Sequence, residues 1–280
     1  MAEWICETCG VEYESAPIPP ETCAICEDER QWVPPSGQRW TTREELLREH
    51  RHEVREEEPG LVGIGIEPRF GIGQRALLVQ APEGNVLWDC VALVDEEGAQ
   101  RIEALGGISA IAFSHPHFFG SAVSWSRRFG DAAIWVPEAD RAWFPRSAPS
   151  IRLWRDRVEL APGISLVQTG GHFPGSAVLC WAGGADGRGA LLVGDTLQVV
   201  PDAGWLSIMW SYPNLIPLPP PVVDAVEDRV LGLRFDRLWG GWWDRVIASG
   251  AKEAVTRSLE RYRARVLGPL PHSAPLEPPS

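Results

Sequence analysis

Three times along this chain a short apolar run stops and gives way to a side chain that binds metals. Ile108 to Ser114 runs straight into His115-Pro116-His117. Ile164 to Gln168 ends in Thr169-Gly170-Gly171-His172, and Ala190 to Val193 ends in Gly194-Asp195-Thr196. Each run has the length and the β-branched or aromatic character of a buried strand. Two histidines at i and i+2 of extended chain point the same way, so His115 and His117 can reach one ion. A lone histidine after a strand is more often a satisfied structural group, and a lone aspartate there is usually a turn residue. Four such residues at three strand ends are a different matter. His115, His117, His172 and Asp195 form a candidate ligand set for zinc, iron or manganese.

Further apolar runs at 61–66, 75–80, 86–90, 132–136 and 177–182 read as strands. Helical patterns lie among them at 95–105, 121–129, 222–231 and 252–266. Strand groups early and late with helices interleaved indicate a layered α/β sandwich. In Thr41-Thr42-Arg43-Glu44-Glu45-Leu46-Leu47, Thr followed by Glu three residues on reads as a capping box. The charged helix that it opens is predicted to run to about Glu57, with His50 and His52 on a solvated face. Gly63, Gly65, Gly71 and Gly73 complete no phosphate-binding fingerprint and read as hairpin glycines. No Gly-x-Ser-x-Gly elbow is present, and Cys90 and Cys180 read as buried inert thiols.

Near the N-terminus, Cys6-x-x-Cys9 and Cys23-x-x-Cys26 are separated by thirteen residues. A two-residue spacer puts both sulfurs on one side of a tight turn, and two such turns make a tetrahedral cage of four sulfurs. Disulfides are the competing reading, disfavoured by paired CxxC spacing in a chain expected to be cytosolic. The segment resembles the zinc-ribbon and rubredoxin-like knuckles. Gly10 follows the second cysteine as in iron sites, but Glu27 follows the fourth, which favours structural zinc over redox iron.

Ser114-His115-Pro116-His117, Gly170-Gly171-His172-x-Pro174-Gly175-Ser176 and Gly194-Asp195-Thr196-Leu197 together resemble the metallo-β-lactamase-fold superfamily, in order, over roughly 60 to 265. Asp28-Glu29-Arg30-Gln31, Ser211-Tyr212-Pro213-Asn214 and Ser258 to Tyr262 place it nearer a bacterial branch with a knuckle ahead of the sandwich. The resemblance implies a four-layer αββα sandwich with its site at one edge. It also implies a division into a four-cysteine, zinc-ribbon-like module (1–38), a charged linker helix (39–58), the sandwich (59–267) and a disordered tail (268–280). Where the family's first motif continues with Asp and His, this chain has Phe119 and Gly120. Where a late histidine completes a second metal site, Trp239-Gly240-Gly241-Trp242-Trp243 has none, and His272 lies in the tail. One metal at His115, His117, His172 and Asp195 is expected, zinc with iron as the alternative, beside one zinc in the knuckle.

The resemblance implies a mononuclear metal-dependent hydrolase, in which metal-activated water attacks an ester, thioester or lactone-like bond and Asp195 serves as ligand and proton acceptor. The alternatives are a non-catalytic metal-binding protein and a non-haem iron sulfur-oxidising enzyme. Phe118, Phe119, Trp205, Trp210, Tyr212, Trp242 and Trp243 are predicted on loops around the site, where they would wall a cleft for a small apolar or aromatic substrate. A net charge of −12 argues against nucleic-acid and anionic-membrane partners. No apolar run reaches the roughly 20 residues of a membrane span, so a cytoplasmic address is expected. The oligomeric state is left open.

Overall fold

A computed structural model describes residues 1–202 and 204–268. Beyond Gly268, the tail expected to be disordered and its His272 lie outside the described residues.

Strands β1 (Ala2–Cys6), β2 (Glu12–Ala16) and β3 (Trp40–Thr42) form a small antiparallel sheet in the order β2-β1-β3. Thr42 then caps helix α1 (Arg43–Glu49). Its hydroxyl accepts from the Glu45 N–H, and the Glu45 carboxylate accepts from the Thr42 N–H. The expected capping box is there, but the helix does not continue as a long linker. It stops at Glu49, and Arg51–Glu58 is strand β4, paired along β5 (Leu61–Glu67). β4 is the outermost strand of its sheet. An edge strand carries charge to discourage pairing with other chains, and that charge mimics a solvated helix in sequence. His52 is correspondingly not solvated. Its ring stacks on Trp125 with centroids 5.1 Å apart, and Nε2 lies 2.8 Å from the Leu93 carbonyl.

The first large sheet continues through β6 (Ala76–Val79), β7 (Val86–Trp88), helix α2 (Glu96–Ala104), β8 (Ala110–Ala112), helix α3 (Ala122–Arg128), β9 (Ala133–Pro137) and β10 (Ile151–Trp154). Its order is β10-β9-β8-β7-β6-β5-β4. The second begins with β11 (Arg157–Ala161), β12 (Ile164–Gln168), β13 (Ala177–Trp181) and β14 (Ala190–Leu192). Two short ribbons follow, β15 (Gln198–Val199) with β16 (Leu206–Ser207), and β17 (Met209–Ser211) with β18 (Ile216–Pro217). Helix α4 (Pro220–Leu231), β19 (Arg237–Trp239), β20 (Val246–Ile247) and helix α5 (Ala251–Val266) complete the described chain. The second sheet runs β11-β12-β13-β14-β19-β20.

Strand alternation sorts the core into three layers. Leu61, Leu77 and Trp88 from the first sheet meet Leu166, Leu179 and Leu192 from the second. On the outer face of the first, Ile64, Leu78 and Ile111 pack with Ile102 of α2 and Trp125 of α3. On the outer face of the second, Val178 and Leu191 pack with Val226 of α4 and Leu259 of α5. The result is an αββα sandwich, in which each such side chain contributes about 1.5–3 kcal/mol by leaving water.

The cysteine segment joins this architecture directly. Cys6, Cys9, Cys23, Val11 and Ile25 belong to the same buried cluster as the outer face of the first sheet. Glu12 at the start of β2 is fully buried, pairs with Arg146 and accepts the Ser124 hydroxyl at 2.7 Å. Among the glycines, Gly71 and Gly73 take positive φ in a turn, as expected. Gly63 and Gly65 instead sit within β5, where an added Cβ would come within 2.6 Å and 2.7 Å of the Trp243 ring. They make room for an indole and turn no hairpin.

Two stability measurements check this packing. Urea unfolding of Gly63→Ala should show a loss of about 1–3 kcal/mol, from crowding of Trp243 and the neighbouring Glu57 carboxylate. Glu12→Ala takes the buried partner from Arg146, leaves it only Glu3 at 3.3 Å and the more distant Glu14, and should cost about 2–4 kcal/mol; a loss below about 1 kcal/mol would mean that β2 is not anchored there.

Candidate metal centre

The three strand ends converge. After β8 the backbone stays extended through His115 and then coils in a single 3-10 turn at Pro116–Phe118. After β12 the chain passes Gly170 and Gly171, both at positive φ, into His172. After β14 it turns at Gly194, where an added Cβ would stand 2.2 Å from Ser114 Oγ and 2.8 Å from His115 Nδ1. Only glycine lets the Asp195 turn approach the His115 strand so closely.

One donor atom from each of His115, His117, His172 and Asp195 lies within 4.8 Å of the others, and all four residues are buried. His115 Nε2 is 3.2 Å from Asp195 Oδ2, and His172 Nε2 is 3.3 Å from His117 Nδ1. Ligands bonded at about 2.0–2.1 Å to one tetrahedral ion stand about 3.3 Å from each other, a spacing that these two pairs match, while His172 Nε2 to Asp195 Oδ2 is longer at 3.9 Å. His115 Nε2 and Asp195 Oδ1 have no hydrogen-bond partner, a costly state for buried polar atoms that a cation would relieve. Burial, reinforced by His115, pushes His172 down to about 4. Burial also holds His117 well below the usual imidazole range. Both are therefore neutral near pH 7, with lone pairs available for a cation.

The cluster is held from behind. The Ser114 hydroxyl lies 2.9 Å from His115 Nδ1 and donates to Asp89, which also accepts the Ser114 N–H at 2.7 Å. Asp89, just beyond β7, is fully enclosed, and that burial pushes its carboxyl well above the usual range. His172 Nδ1 lies 3.1 Å from the Met209 carbonyl, which fixes the tautomer that leaves Nε2 open. Tyr212 donates its hydroxyl to the Asp195 carbonyl at 2.7 Å. From the cysteine segment, Arg30 donates to the His172 carbonyl at 3.2 Å, stacks 3.7 Å over Phe173 and forks onto Asp28.

The second group is the four cysteines. Cys6 and Cys26 sulfurs are 3.6 Å apart, as are those of Cys9 and Cys23. A disulfide needs about 2.05 Å, whereas sulfurs at about 2.3 Å from one tetrahedral ion are separated by close to the observed distance. Tyr13 donates to Cys23 Sγ at 3.2 Å and Gln38 to Cys6 Sγ at 3.1 Å, contacts that suit thiolates. Hydrogen bonds from the neighbouring thiols, Cys23 first, hold Cys6 below the ordinary thiol range. Among the described residues these are the two His/Cys/Asp/Glu groups able to surround an ion.

A cavity of about 530 Å³ opens onto His117, His172 and Asp195. Of the expected aromatic wall, Tyr212 and Trp242 line it. Phe118 packs against His115 with centroids 4.5 Å apart, while Phe119 turns into the core against Phe113 and Phe144. Trp205, Trp210 and Trp243 each take an arginine on the ring face, Arg261, Arg30 and Arg55 respectively. The cysteine segment supplies the opposite wall, Gln31 and Trp32 among it. Sequence reasoning missed Asp89, Arg30 and Gln31. Asp89 obeys the same strand-end rule as Asp195 and could have been found by it; Arg30 and Gln31 lie in the Asp28-Glu29-Arg30-Gln31 stretch that carries part of the resemblance, but nothing in that stretch announces a place at the histidine site.

An αββα sandwich with three histidines and an aspartate at its strand ends defines a metallo-β-lactamase-type metal protein. Residues 70–259 match the Metallo-beta-lactamase superfamily, and the chain belongs to that superfamily. It is 43% identical over 265 residues to the "Uncharacterized protein YmaE" of Bacillus subtilis (strain 168), covering 94% of this chain and 96% of that one. The fold is also that of the DIM-1 metallo-beta-lactamase crystal structure, at TM-score 0.57 and 11% identity over 76% of this chain and 98% of the other. VMB-1 superposes at TM-score 0.56 and 13% identity, with 76% and 98% covered. A His/Asp site in this superfamily is in general that of a metal-dependent hydrolase.

Removing the Ser114 hydroxyl tests the support behind His115. Ser114→Ala should keep the fold and weaken metal affinity at the histidine site about 10–100-fold, measured by competition with a chromophoric chelator.

Proposed function

We propose that this chain is a mononuclear zinc hydrolase that opens an ester, thioester or lactone-like bond of a small, partly apolar molecule held in the cavity. One observation carries the single-metal reading. Where the superfamily motif would place the second site's histidine, Gly120 sits at positive φ, and an added Cβ would lie 2.7 Å from the Val91 carbonyl. No side chain fits there. Phe119, at the aspartate position, is packed into the core.

Zinc bound by His115, His117, His172 and Asp195 would act as a Lewis acid and lower the pKa of a bound water toward about 7. The chain's own groups do the rest. Asp195 presents Oδ2 to the cluster, 3.2 Å from His115 Nε2, where its carboxylate would serve as ligand and proton acceptor. Met209 and Arg30 hold His172 from both of its sides, ring and backbone. Tyr212 and Trp242 supply apolar surface to a wall that also carries Arg30, Arg39 and Arg69. A second zinc in the cysteine cage would contribute folding energy. The competing reading is metal binding without turnover. It is favoured by the same four donors, which can fill a tetrahedron and leave no open position.

The test pairs metal content with turnover of p-nitrophenyl and thioester substrates. Wild-type protein should hold two zinc ions per chain and hydrolyse at least one class; His172→Ala should hold one zinc and lose more than about a hundredfold in kcat/KM. A variant that keeps both ions and its rate would sink the assignment, and a metal-replete wild type inert toward every ester and thioester would support the non-catalytic reading.

A further inference from the structure

The cavity over the histidine cluster is lined with arginine, in a chain whose net charge is −12. Arg30, Arg39 and Arg69 all reach it. Two of them are neutralised on the spot, Arg30 by Asp28 at 2.6 Å and Arg39 by Glu7 at 2.9 Å. Arg69 has no carboxylate partner among the described residues, and its one hydrogen bond there runs to the Ile72 carbonyl. Glu67, two residues before it, lines an adjoining cavity that Arg69 also borders, yet the two form no ion pair. Of the carboxylates in the main cavity's lining, Glu7 is spent on Arg39 and Asp195 belongs to the histidine cluster.

Arg69 is exposed, but it is held in place. Its stem lies along the turn after β5, where a Cβ on Gly73 would stand 2.6 Å from Arg69 Cδ. The Ile72 carbonyl that takes one of its N–H groups also accepts the Trp242 indole N–H at 3.2 Å. Turn, arginine and tryptophan are thereby tied into one stretch of wall. A guanidinium carries five N–H donors in a planar fork that fits a carboxylate, and four of these find no acceptor among the described residues. A side chain already ordered by other contacts loses less freedom when an anion docks on it. A divalent ion on three neutral imidazoles and one carboxylate would leave the histidine end of the cavity positive as well.

We infer that Arg69 is the specificity-determining residue of the cavity. It binds a carboxylate that the substrate carries several bonds from the one cleaved, with Ile72 and Trp242 beside the intervening apolar chain. The inference rests on the hydrolase reading for the identity of the cleaved bond, but the carboxylate subsite itself does not need turnover.

The experiment therefore separates the two. Full-length zinc-loaded protein is titrated calorimetrically in low salt with 4-oxopentanoate, 6-oxoheptanoate and 8-oxononanoate, and with 2-heptanone as the uncharged control. None of these can be hydrolysed. Wild type should bind at least one oxo acid about tenfold more tightly than the ketone. That preference should shrink as salt is raised, because the arginine is exposed. Arg69→Gln should bring the acids within about twofold of the ketone and Arg69→Lys should keep part of the preference, both with the zinc content and unfolding temperature of wild type. Equal binding of acids and ketone by wild type overturns the inference. So does a preference that survives Arg69→Gln, since the carboxylate would then sit on the metal or on another arginine. Kinetics run in parallel compare mono-p-nitrophenyl adipate with p-nitrophenyl hexanoate, and 4-acetoxybenzoate with phenyl acetate, which put the carboxylate on the acyl and the leaving side. If the oxo acids are discriminated through Arg69 and no ester is cleaved, the subsite stands and the hydrolase reading fails. Esters cleaved with no effect of the carboxylate or of Arg69→Gln would leave the hydrolase reading and sink the subsite.

Discussion

Three imidazole nitrogens and one carboxylate oxygen are held within 4.8 Å of one another in a buried pocket, and this convergence constrains the rest of the sandwich. Buried polar atoms left without partners each cost on the order of 1–3 kcal/mol, a cost that a cation taking up the open lone pairs would offset. The geometry around it is cut to that purpose. Gly194 removes a side chain so that the Asp195 turn can touch the His115 strand, and the Asp89–Ser114 pair fixes the His115 ring from behind. At the two positions where the superfamily motif has Asp and His, Phe119 is packed into the core and Gly120 has no room for a side chain.

The cysteine segment matters to the site for a related reason. A four-sulfur cage organises a short stretch that has little apolar surface of its own. Its sulfurs are buried in the outer-face core, and Glu12 locks the adjoining strand to Arg146. The stretch after Cys26 then reaches across to the histidine site, where Arg30 supports His172 and Gln31 faces the cavity. Metal in the cage thus bears on the shape of the cleft as well as on stability.

Much of this was legible in the sequence, and the reason is local. β8, β12 and β14 are apolar runs that end in His or Asp, so both the strands and the ligands could be read without tertiary information. The helices carry caps or clear periodicity, as at Asp95 and Thr42. What failed depended on partners distant in sequence. The charged residues of β4 read as a helix because an edge strand and a solvated helix share a composition. Gly63 and Gly65 read as turn glycines because nothing near them announces Trp243, far down the chain. Four of the seven aromatics expected in the wall stack on arginines or fill the core, a choice set by distant partners such as Arg30, Arg55, Arg261 and Phe144 and invisible to spacing.

The most direct check is zinc K-edge X-ray absorption on the full chain, with the zinc content fixed by mass spectrometry. A lone cation at the strand ends, next to a sulfur cage, requires sulfur at about 2.3 Å and nitrogen or oxygen at about 2.0–2.1 Å in comparable amounts. It also requires no metal–metal distance near about 3.5–4 Å. A spectrum of sulfur alone, or one with that metal–metal vector, would contradict the solitary histidine-bound ion on which everything else rests.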